Sequence, residues 1–368
     1  MKVLHIITRM NTGGPAVFLD HLTKSMADLG TKSIIAYGYC ESNETDYTDT
    51  HKLSAELIKV KSLHRSLSPL GDIKSFFQIR KIIKAQRPDL VNTHTSKAGV
   101  LARVATKSVS RKTPVVHTFH GHLIYGYFAR YKSIIFTLIE KMMSRYTDTA
   151  IAVTAETKSS LSKLGIGRKL SWRVIQIGIP TKVLAQPTTV GQTINLLWIG
   201  RFTQIKDPSL AVKVMKNLSN AAPGKFELTM VGQGELFEQV KKEAMNLPIK
   251  FTGWLTNPFE IISVFDLLLI TSKNEGLPLV MLEAANFGKP TLSKNVGGVS
   301  EFITDNQTGY LVDGNAEEIS KKLILLSNNS SSLLQTGINA NKLLNDKFSV
   351  DVMAKNYYDL YSQLIISY

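Results

Sequence analysis

The chain has 368 residues, a net charge of +15 and a hydrophobic content of 43%. This length accommodates two domains with their own cores, and 24 glycines are typical of a soluble α/β protein rather than a disordered or fibrous one. The single cysteine, Cys40, excludes an intramolecular disulfide, and no apolar run is long enough for a signal peptide or a membrane span. We therefore expect a cytoplasmic protein.

The excess positive charge is confined to the first half of the chain. Residues 1–180 carry 27 Lys and Arg against 12 Asp and Glu, whereas residues 181–368 carry 17 of each. Such asymmetry favours an acidic partner for the first half: an anionic membrane surface, a phosphorylated acceptor or nucleic acid. A charge bias that serves only solubility is the alternative.

Strands and helices alternate in the predicted first half. The first strand, residues 2–8, leads into Gly13-Gly14 and a helix through Leu29, an order that resembles a mononucleotide-binding unit without its G-x-G-x-x-G spacing. Residues 41–51 are predicted to be a loop. Further strands are expected at 33–39, 90–94, 114–120 and 149–153.

Polar side chains mark the ends of two of these strands. His94 ends one strand, and Lys97 follows at a helix amino end, which is unfavourable for a cation unless an anion neutralises it. His120 ends the next strand, at the edge where open α/β sheets bind ligands. A metal site formed with His117 and His122 is disfavoured, because strand alternation turns some of these side chains to opposite faces.

Two segments of the first half suit either packing or a membrane surface. In the helix at 71–86, Ile73 and Phe77 belong to an apolar stripe that we expect to pack on a sheet, with membrane contact as the alternative. Residues 123–132 interleave aromatic and basic side chains, which suits lipid headgroups, nucleic acid or an exposed lid.

The alternation restarts after a linker predicted at 186–191. A strand at 194–199 is followed by Gly200-Arg201, with Lys206 five residues further on. A glycine turn with two cations at this spacing suits a diphosphate. Further elements are predicted as strands at 226–231 and 249–252 and helices at 210–218, 316–327 and 349–368.

The segment from Thr271 to Glu283 combines the strongest signals for a ligand site. An apolar strand precedes it, and Pro278 is expected to open a helix, so the loop's free N–H groups favour an anion. Glu275 lies in the loop beside Gly276. Glu283 lies on an otherwise apolar helix and needs hydrogen-bond donors, which ribose hydroxyls would supply. A paired structural charge is the alternative.

Several catalytic motifs are absent from the sequence. There is no GxxxxGK[ST] phosphate loop, no Asp-x-Asp pair for a divalent metal and no G-x-S-x-G nucleophile elbow. We expect metal-independent catalysis with no cofactor.

The combined motifs resemble the GT4 family of retaining glycosyltransferases. Matching pieces occur in family order: Thr12-Gly-Gly14, Thr93-His-Thr-Ser-Lys-Ala-Gly99, His117-Thr-Phe-His-Gly121, Gly200-Arg-Phe-Thr-Gln-Ile-Lys206, Val231-Gly-Gln-Gly234, Glu275 with Glu283, and Val296-Gly-Gly298 with Glu301. The first half is similar to bacterial capsule and lipopolysaccharide-type transferases.

The resemblance implies the α/β GT-B fold, with two facing Rossmann-like domains, parallel sheets and a deep cleft between them. Residues 1–180 would form the acceptor-side domain, and residues 181–348 the nucleotide-sugar donor domain. The helix at about 349–368 would pack back on the first domain. The family commonly has Asn-Gly-Ile-Asp where this chain has Gln176-Ile-Gly-Ile-Pro180.

The resemblance also implies roles for individual residues. Arg201 and Lys206 would neutralise the donor diphosphate, and N–H groups around Gly276, Leu277 and Pro278 would hold its distal phosphate. Gly13 and Gly14 would also bind the donor. Glu283 would accept hydrogen bonds from ribose, Glu275 would bind the transferred sugar, and His120 would contact a donor-sugar hydroxyl. Lys97 and His94 would lie on the acceptor side.

The activity implied is retaining transfer of a hexose or N-acetylhexosamine from a UDP-sugar to a lipid-linked saccharide in surface polysaccharide synthesis. We expect a peripheral protein on the inner face of the membrane, bound through its basic domain, without a nucleic-acid partner. A sugar-nucleotide epimerase or phosphorylase and a basic nucleic-acid-binding protein are the alternatives.

Overall fold

The structure is a computed structural model that describes residues 1–42, 44–121, 130–181, 191–255 and 258–368. The chain divides into two compact units. Unit 1 comprises residues 1–180 together with 349–368, and unit 2 comprises residues 181–348.

Unit 1 is built on a parallel sheet. Its strand order is β3-β2-β1-β4-β5-β6-β7, and every pairing is parallel. The strands are β1 (Lys2–Arg9), β2 (Lys32–Gly38), β3 (Glu56–Lys59), β4 (Leu90–His94), β5 (Val115–Phe119), β6 (Thr149–Ala152) and β7 (Ser171–Val174).

Unit 2 repeats the same winding with a second parallel sheet. Its order is β10-β9-β8-β11-β12-β13, again parallel throughout. The strands are β8 (Ile194–Ile199), β9 (Phe226–Val231), β10 (Ile249–Gly253), β11 (Leu267–Ile270), β12 (Thr291–Lys294) and β13 (Tyr310–Val312).

Helices connect the strands in both units. They are α1 (Gly14–Asp28), α2 (Tyr47–Thr50), α3 (Pro69–Gln86), α4 (Ser96–Val109), α5 (Arg130–Met143), α6 (Ala155–Lys163), α7 (Pro208–Ala221), α8 (Phe237–Glu243), α9 (Pro258–Val264), α10 (Leu279–Asn286), α11 (Ala316–Ser327), α12 (Ser330–Lys347) and α13 (Val350–Ile366). Short 3₁₀ turns occupy Ser144–Tyr146 and Gly297–Glu301.

Polar side chains fix where several helices begin. The Ser68 hydroxyl accepts a hydrogen bond from the Gly71 amide at 3.3 Å, and Ser349 does the same for Val352 at 3.4 Å. The Asn315 side chain accepts from the Glu317 amide at 2.9 Å. Each cap satisfies an amide that the first helical turn leaves without a partner.

The strand order 3-2-1-4-5-6, present in both units, creates a switch point between the first and fourth strands. Helices leave these two strands for opposite faces of the sheet, so the loops at their carboxyl ends separate and leave a crevice. In unit 1 the crevice lies beyond β1 and β4, and in unit 2 beyond β8 and β11. The predicted α/β fold with two parallel sheets is confirmed.

The last helix belongs to unit 1. On α13, Tyr357 and Tyr361 are fully buried, and Asn92 Nδ2 of β4 donates to the Tyr361 hydroxyl at 2.6 Å. Just before α13, Ser349 forms an isolated parallel β-bridge with Ile179, which also belongs to unit 1.

Three local predictions need correction. Residues 41–51 contain the one-turn helix α2, because Asp46 caps it by accepting from the Thr48 amide at 3.0 Å. No strand is predicted at residues 171–174, where the structure has β7. Ile73 and Phe77 of α3 are 55% and 57% exposed, because only the Ile79–Ile83 side of the helix reaches the sheet.

Candidate functional site

Two loops of unit 2 meet at its switch point. Trp198 of β8 donates from Nε1 to the Thr271 hydroxyl at 2.9 Å. That hydroxyl in turn faces the Lys206 and Asp207 carbonyls, at 3.0 and 2.9 Å, and the Lys273 amide donates to the Ile205 carbonyl at 2.8 Å. The loop after β8 is therefore fixed against the loop after β11.

An ion pair forms where these loops touch. Lys206 Nζ lies 2.5 Å from Glu275 Oε1, which also accepts from the Ser272 hydroxyl at 2.6 Å. The Glu275 side chain is 10% exposed and that of Lys206 is 28% exposed. Arg201 lies exposed in the same loop as Lys206. The structure therefore brings Lys206 and Glu275 together, with Arg201 in the loop that carries Lys206.

A close backbone contact fixes the Glu275 loop from its other side. Gly297 has φ +56°, and a Cβ there would lie 1.8 Å from the Glu275 carbonyl oxygen. The Gly298 amide donates to that oxygen at 3.2 Å. Because no other residue fits this approach, Gly297 sets the position of Glu275.

Helix α10 begins directly after this loop. Pro278 is its N-cap residue, with φ −65° and ψ 118°, so the helix starts one residue later than predicted. No side chain caps it, and Leu277 is buried. The Met281 amide donates to the Pro278 carbonyl at 3.1 Å, so the Leu279 and Val280 amides are those of the first turn left for another acceptor.

Glu283 lies a turn and a half along α10, half-buried between fully buried neighbours such as Leu282 and Ala284. Burial raises the pKa of its carboxyl to about 7. Among the residues that the structure describes, none donates a hydrogen bond to it or pairs with it. The alternative of a paired structural charge is therefore not what the described contacts show.

At the switch point of unit 1, Gly13 and Gly14 form the start of α1. The Gly13 carbonyl accepts from the Ala16 and Val17 amides at 3.1 and 3.2 Å. Gly13 has an extended backbone, so its φ does not itself require glycine.

Three histidines form a chain across the same edge. His5 Nδ1 lies 3.2 Å from His94 Nε2, and His94 Nδ1 lies 2.9 Å from His120 Nε2. Burial lowers the pKa of His5 to about 3 and that of His120 to about 4, and it also lowers the pKa of His94 well below its usual value. All three rings are therefore neutral at pH 7.

Neutrality couples the proton positions of these rings. Each neutral imidazole has one N–H, so both hydrogen bonds must run in the same direction along the chain. Either His5 Nε2 or His120 Nδ1 carries the proton left over, and the other end is an acceptor. Both end nitrogens are buried without a partner among the described residues. Whether His120 can donate from Nδ1 therefore depends on the direction in which the hydrogen bonds run through His94 to His5.

The two residues predicted on the acceptor side are engaged inside unit 1. Lys97 pairs with Asp72 of α3 and donates to the Ser66 carbonyl at 2.6 Å. The anion expected beside Lys97 at the start of α4 is therefore the Asp72 carboxylate. His94 is fully buried.

Sequence reasoning missed two contributors to these sites. His5 stands on β1, where its alternation with Leu4 and Ile6 gave no signal beyond a buried strand. Ser272 reads as a loop residue, although its hydroxyl helps to hold Glu275. Within the described ranges, no group of three or more His, Cys, Asp or Glu side chains is arranged to hold a metal ion; His122 lies outside those ranges.

The two parallel sheets with the same strand order are those of the GT-B fold. Residues 12–183 match the profile of Glycosyltransferase Family 4, and residues 184–343 match that of Glycosyl transferases group 1. The chain belongs to the GT4 family of glycosyltransferases.

Relatives with stated activities support this assignment. An Escherichia coli UDP-Gal:α-D-GlcNAc-diphosphoundecaprenol α-1,3-galactosyltransferase is 25% identical, with 88% of this chain and 87% of the relative aligned. A Campylobacter jejuni α-1,4-N-acetyl-D-galactosaminyltransferase, named for a diNAcBac-PP-undecaprenol-linked acceptor, is 24% identical over 90% of both chains. These relatives give no support to the epimerase alternative.

Solved structures show the same fold. The Anabaena protein HepE, in complex with UDP and glucose, superposes with a TM-score of 0.81 at 18% identity, covering 99% of this chain and 100% of that chain. The lipopolysaccharide outer core galactosyltransferase WaaB superposes with a TM-score of 0.74 at 19% identity, covering 100% and 99%.

Proposed function

We propose that this glycosyltransferase moves a hexose or N-acetylhexosamine, with retention of configuration, from a UDP-sugar to a lipid-linked saccharide in surface polysaccharide synthesis. The observation that carries the proposal is the junction of the Lys206 and Glu275 loops at the unit 2 switch point. The galactosyltransferase from E. coli is named for a UDP-sugar donor and a lipid-diphosphate acceptor, and HepE was solved with UDP.

The donor would occupy the loops around this junction. Arg201 and Lys206 would neutralise the diphosphate and the charge that develops on the leaving group. The amides of Gly276 and Leu277, which precede α10, would hold the distal phosphate together with the free amides of its first turn. Pro278 has no N–H and would shape the turn. Gly13 and Gly14 remain predicted donor-binding residues.

Glu275 and Glu283 would divide the remaining contacts. The unpartnered Glu283 carboxyl would accept hydrogen bonds from ribose. A phosphate near Lys206 would compete with Glu275 for the ammonium group, leaving the Glu275 carboxylate for the transferred sugar. His120 would contact a sugar hydroxyl, with its proton position set through His94. Lys97 remains a predicted acceptor-side residue.

Calorimetric titration with UDP tests the donor site. We expect Arg201→Ala with Lys206→Ala to weaken UDP binding at least tenfold, because two phosphate-neutralising charges are lost. Lys241→Ala with Lys242→Ala, at the end of α8, is the matched control. No UDP binding by the unaltered protein, or binding unchanged by the first pair, would overturn the proposal.

A comparison of two glutamate variants tests the division of roles. Glu275→Ala should lower turnover more than UDP affinity, and Glu283→Ala should lower UDP affinity more than turnover. Equal effects of both on UDP binding would contradict this assignment. A panel of UDP-sugars, assayed with a lipid-linked acceptor, would identify the transferred sugar.

We also propose that unit 1 attaches the protein to the cytoplasmic face of an anionic membrane. Helix α5 exposes Ile134, Ile135, Leu138 and Met142, and α3 exposes Ile73 and Phe77, within the more basic half of the chain. Among the described residues, no helix has the length and apolar character needed to cross a bilayer. Failure to sediment with anionic vesicles at low salt would overturn this part of the proposal.

A further inference from the structure

A cavity of about 610 Å³ opens in unit 1 at the beginning of strands β6 and β7. It is bounded by the end of α5, the turn between α6 and β7, and the last residues of α13. All strands of this sheet are parallel, so their amino ends lie at one edge of the sheet and their carboxyl ends at the opposite edge. The cavity lies at the amino-end edge, whereas His94 and His120 lie at the carboxyl-end edge. It is therefore separate from the site described above.

The cavity is strongly cationic. Its lining includes five basic residues, Lys141, Arg145, Arg168, Lys169 and Arg173. None of the five has a carboxylate partner among the described residues. The carboxylate in the lining, Asp148, accepts from Lys107 Nζ and from the Val115 amide, both at 2.7 Å, so its charge is already neutralised.

The backbone brings two of these cations together. Gly165 has φ +77°, and the point where its Cβ would lie is 3.3 Å from both Lys141 Nζ and Arg168 Nε. Two like charges that share so small a space repel each other unless an anion lies between them. Any larger residue at position 165 would be strained and would occupy that space.

Local structural causes account for only part of this charge. The carbonyls at the end of α5 attract cations, which suits Lys141 and Arg145. A charged side chain also protects β7, an edge strand, from pairing with another sheet, which suits Arg173. Neither cause explains Arg168 and Lys169 in the preceding turn, or why all five line one concave surface.

We propose that this cavity is a phosphate-binding site, distinct from the nucleotide-sugar site. Arginine presents paired N–H donors that match phosphate oxygens, and the surrounding lysines add charge without competing acceptors. The phosphate would belong either to a soluble anion or to the headgroup of an anionic lipid. The exposed apolar face of α5, which ends beside Lys141, adjoins the cavity and would suit the acyl side of such a lipid.

Pyrophosphate binding in the presence of saturating UDP tests this site. We expect the variant Lys141→Gln with Arg168→Gln and Arg173→Gln to bind pyrophosphate at least tenfold more weakly. The matched control, Lys52→Gln with Lys61→Gln and Arg65→Gln, removes the same charge from exposed residues around β3, at the other edge of the sheet, and should stay within twofold. Neither variant should unfold at a lower temperature than the unaltered protein, and UDP affinity should be unchanged in both.

Vesicle sedimentation then distinguishes the source of the phosphate. Loss of binding to anionic vesicles in the cavity variant, but not in the control, would identify a lipid headgroup, and equal vesicle binding would identify a soluble anion. The proposal is overturned if both variants bind pyrophosphate alike, or if the unaltered protein does not bind it beside UDP. If UDP does not bind, the proposed donor site fails, but the difference in pyrophosphate affinity between the cavity variant and its control still tests the cavity.

Discussion

The burial of Glu283 makes the stability of the protein depend on pH. Its carboxyl has a pKa of about 7 against an ordinary value of 4.5, because burial disfavours the charged form. The native state therefore holds this proton more tightly than the unfolded chain, and the stability it contributes declines as the pH rises from 4.5 to 7. A ligand that donates hydrogen bonds would remove this penalty.

We therefore predict that Glu283→Gln raises the free energy of unfolding at pH 8 by up to about 3 kcal/mol, and hardly changes it at pH 4. Urea unfolding at the two pH values measures the difference. Glu235→Gln, at an exposed position, is the control and should show no such pH dependence. A variant that is no more stable at pH 8 than at pH 4, relative to the unaltered protein, would contradict the assignment.

The histidine chain should act in the opposite direction. His5 and His120 have pKa values of about 3 and 4 in the folded protein, below the ordinary 6.5, so the unfolded chain binds more protons below pH 6.5. Stability should consequently fall as the pH is lowered from 6.5 towards 4, by about 1 kcal/mol for each buried histidine at pH 5.5. NMR titration should show that neither ring protonates above pH 5, and a midpoint near 6.5 would disprove it.

At the scale of elements, the family resemblance placed the β8 and β11 loops in one predicted donor site, but local sequence did not predict the hydrogen bonds between them. Arg201 and Lys206 stand out as a glycine turn with two cations, and the residues after Ile270 stand out as a strand–loop–helix junction. Their hydrogen bonds through Thr271 depend on β8 and β11 being neighbours in the sheet. Strand order is a tertiary property that local periodicity does not encode.

Gly297 offers a test of this loop geometry. We predict that Gly297→Ala lowers turnover at least tenfold, because its Cβ would collide with the Glu275 carbonyl and displace that loop. Gly224→Ala is the matched control, since Gly224 has φ +73° with open space around it and carries only the backbone strain. Turnover and thermal unfolding of the two variants should separate loop displacement from strain. Equal losses of turnover would argue against the collision.

Helix α3 shows where periodicity misled at this scale. Its apolar residues cover more of the helix than a sheet can bury, so Ile79 and Ile83 pack inward while Ile73 and Phe77 face out. Hydropathy alone gives the width of an apolar stripe, and only the neighbouring elements decide how much of it is covered.

At the scale of the whole molecule, the chain passes through unit 1, builds unit 2 and returns to unit 1. Helix α13 buries Tyr357 and Tyr361 against the first sheet although it follows unit 2 in sequence. The stability of unit 1 therefore depends on the last residues of the chain.

We predict that Tyr361→Ala destabilises unit 1 by about 3 to 5 kcal/mol, because it removes a buried aromatic ring and the hydrogen bond from Asn92. Amide hydrogen exchange should lose protection in β1 and β4 and keep it in β8 and β11. The reciprocal control, Leu333→Ala in α12, should affect unit 2 alone. Uniform loss of protection in both units would refute this dependence.

The sequence by itself determined the alternating architecture, the family and the residue types of the predicted donor site, because buried parallel strands, glycine turns and cations at strand ends are local signals. Only the tertiary structure paired Lys206 with Glu275, left Glu283 without a described partner, joined His5 to His94 and gathered five cations around the cavity at the start of β6 and β7. Each of these arrangements brings together residues that are distant in sequence, and their spacing depends on strand order and helix packing. Local sequence therefore indicates which reactive and charged side chains are present, and the tertiary structure decides which of them lie in contact.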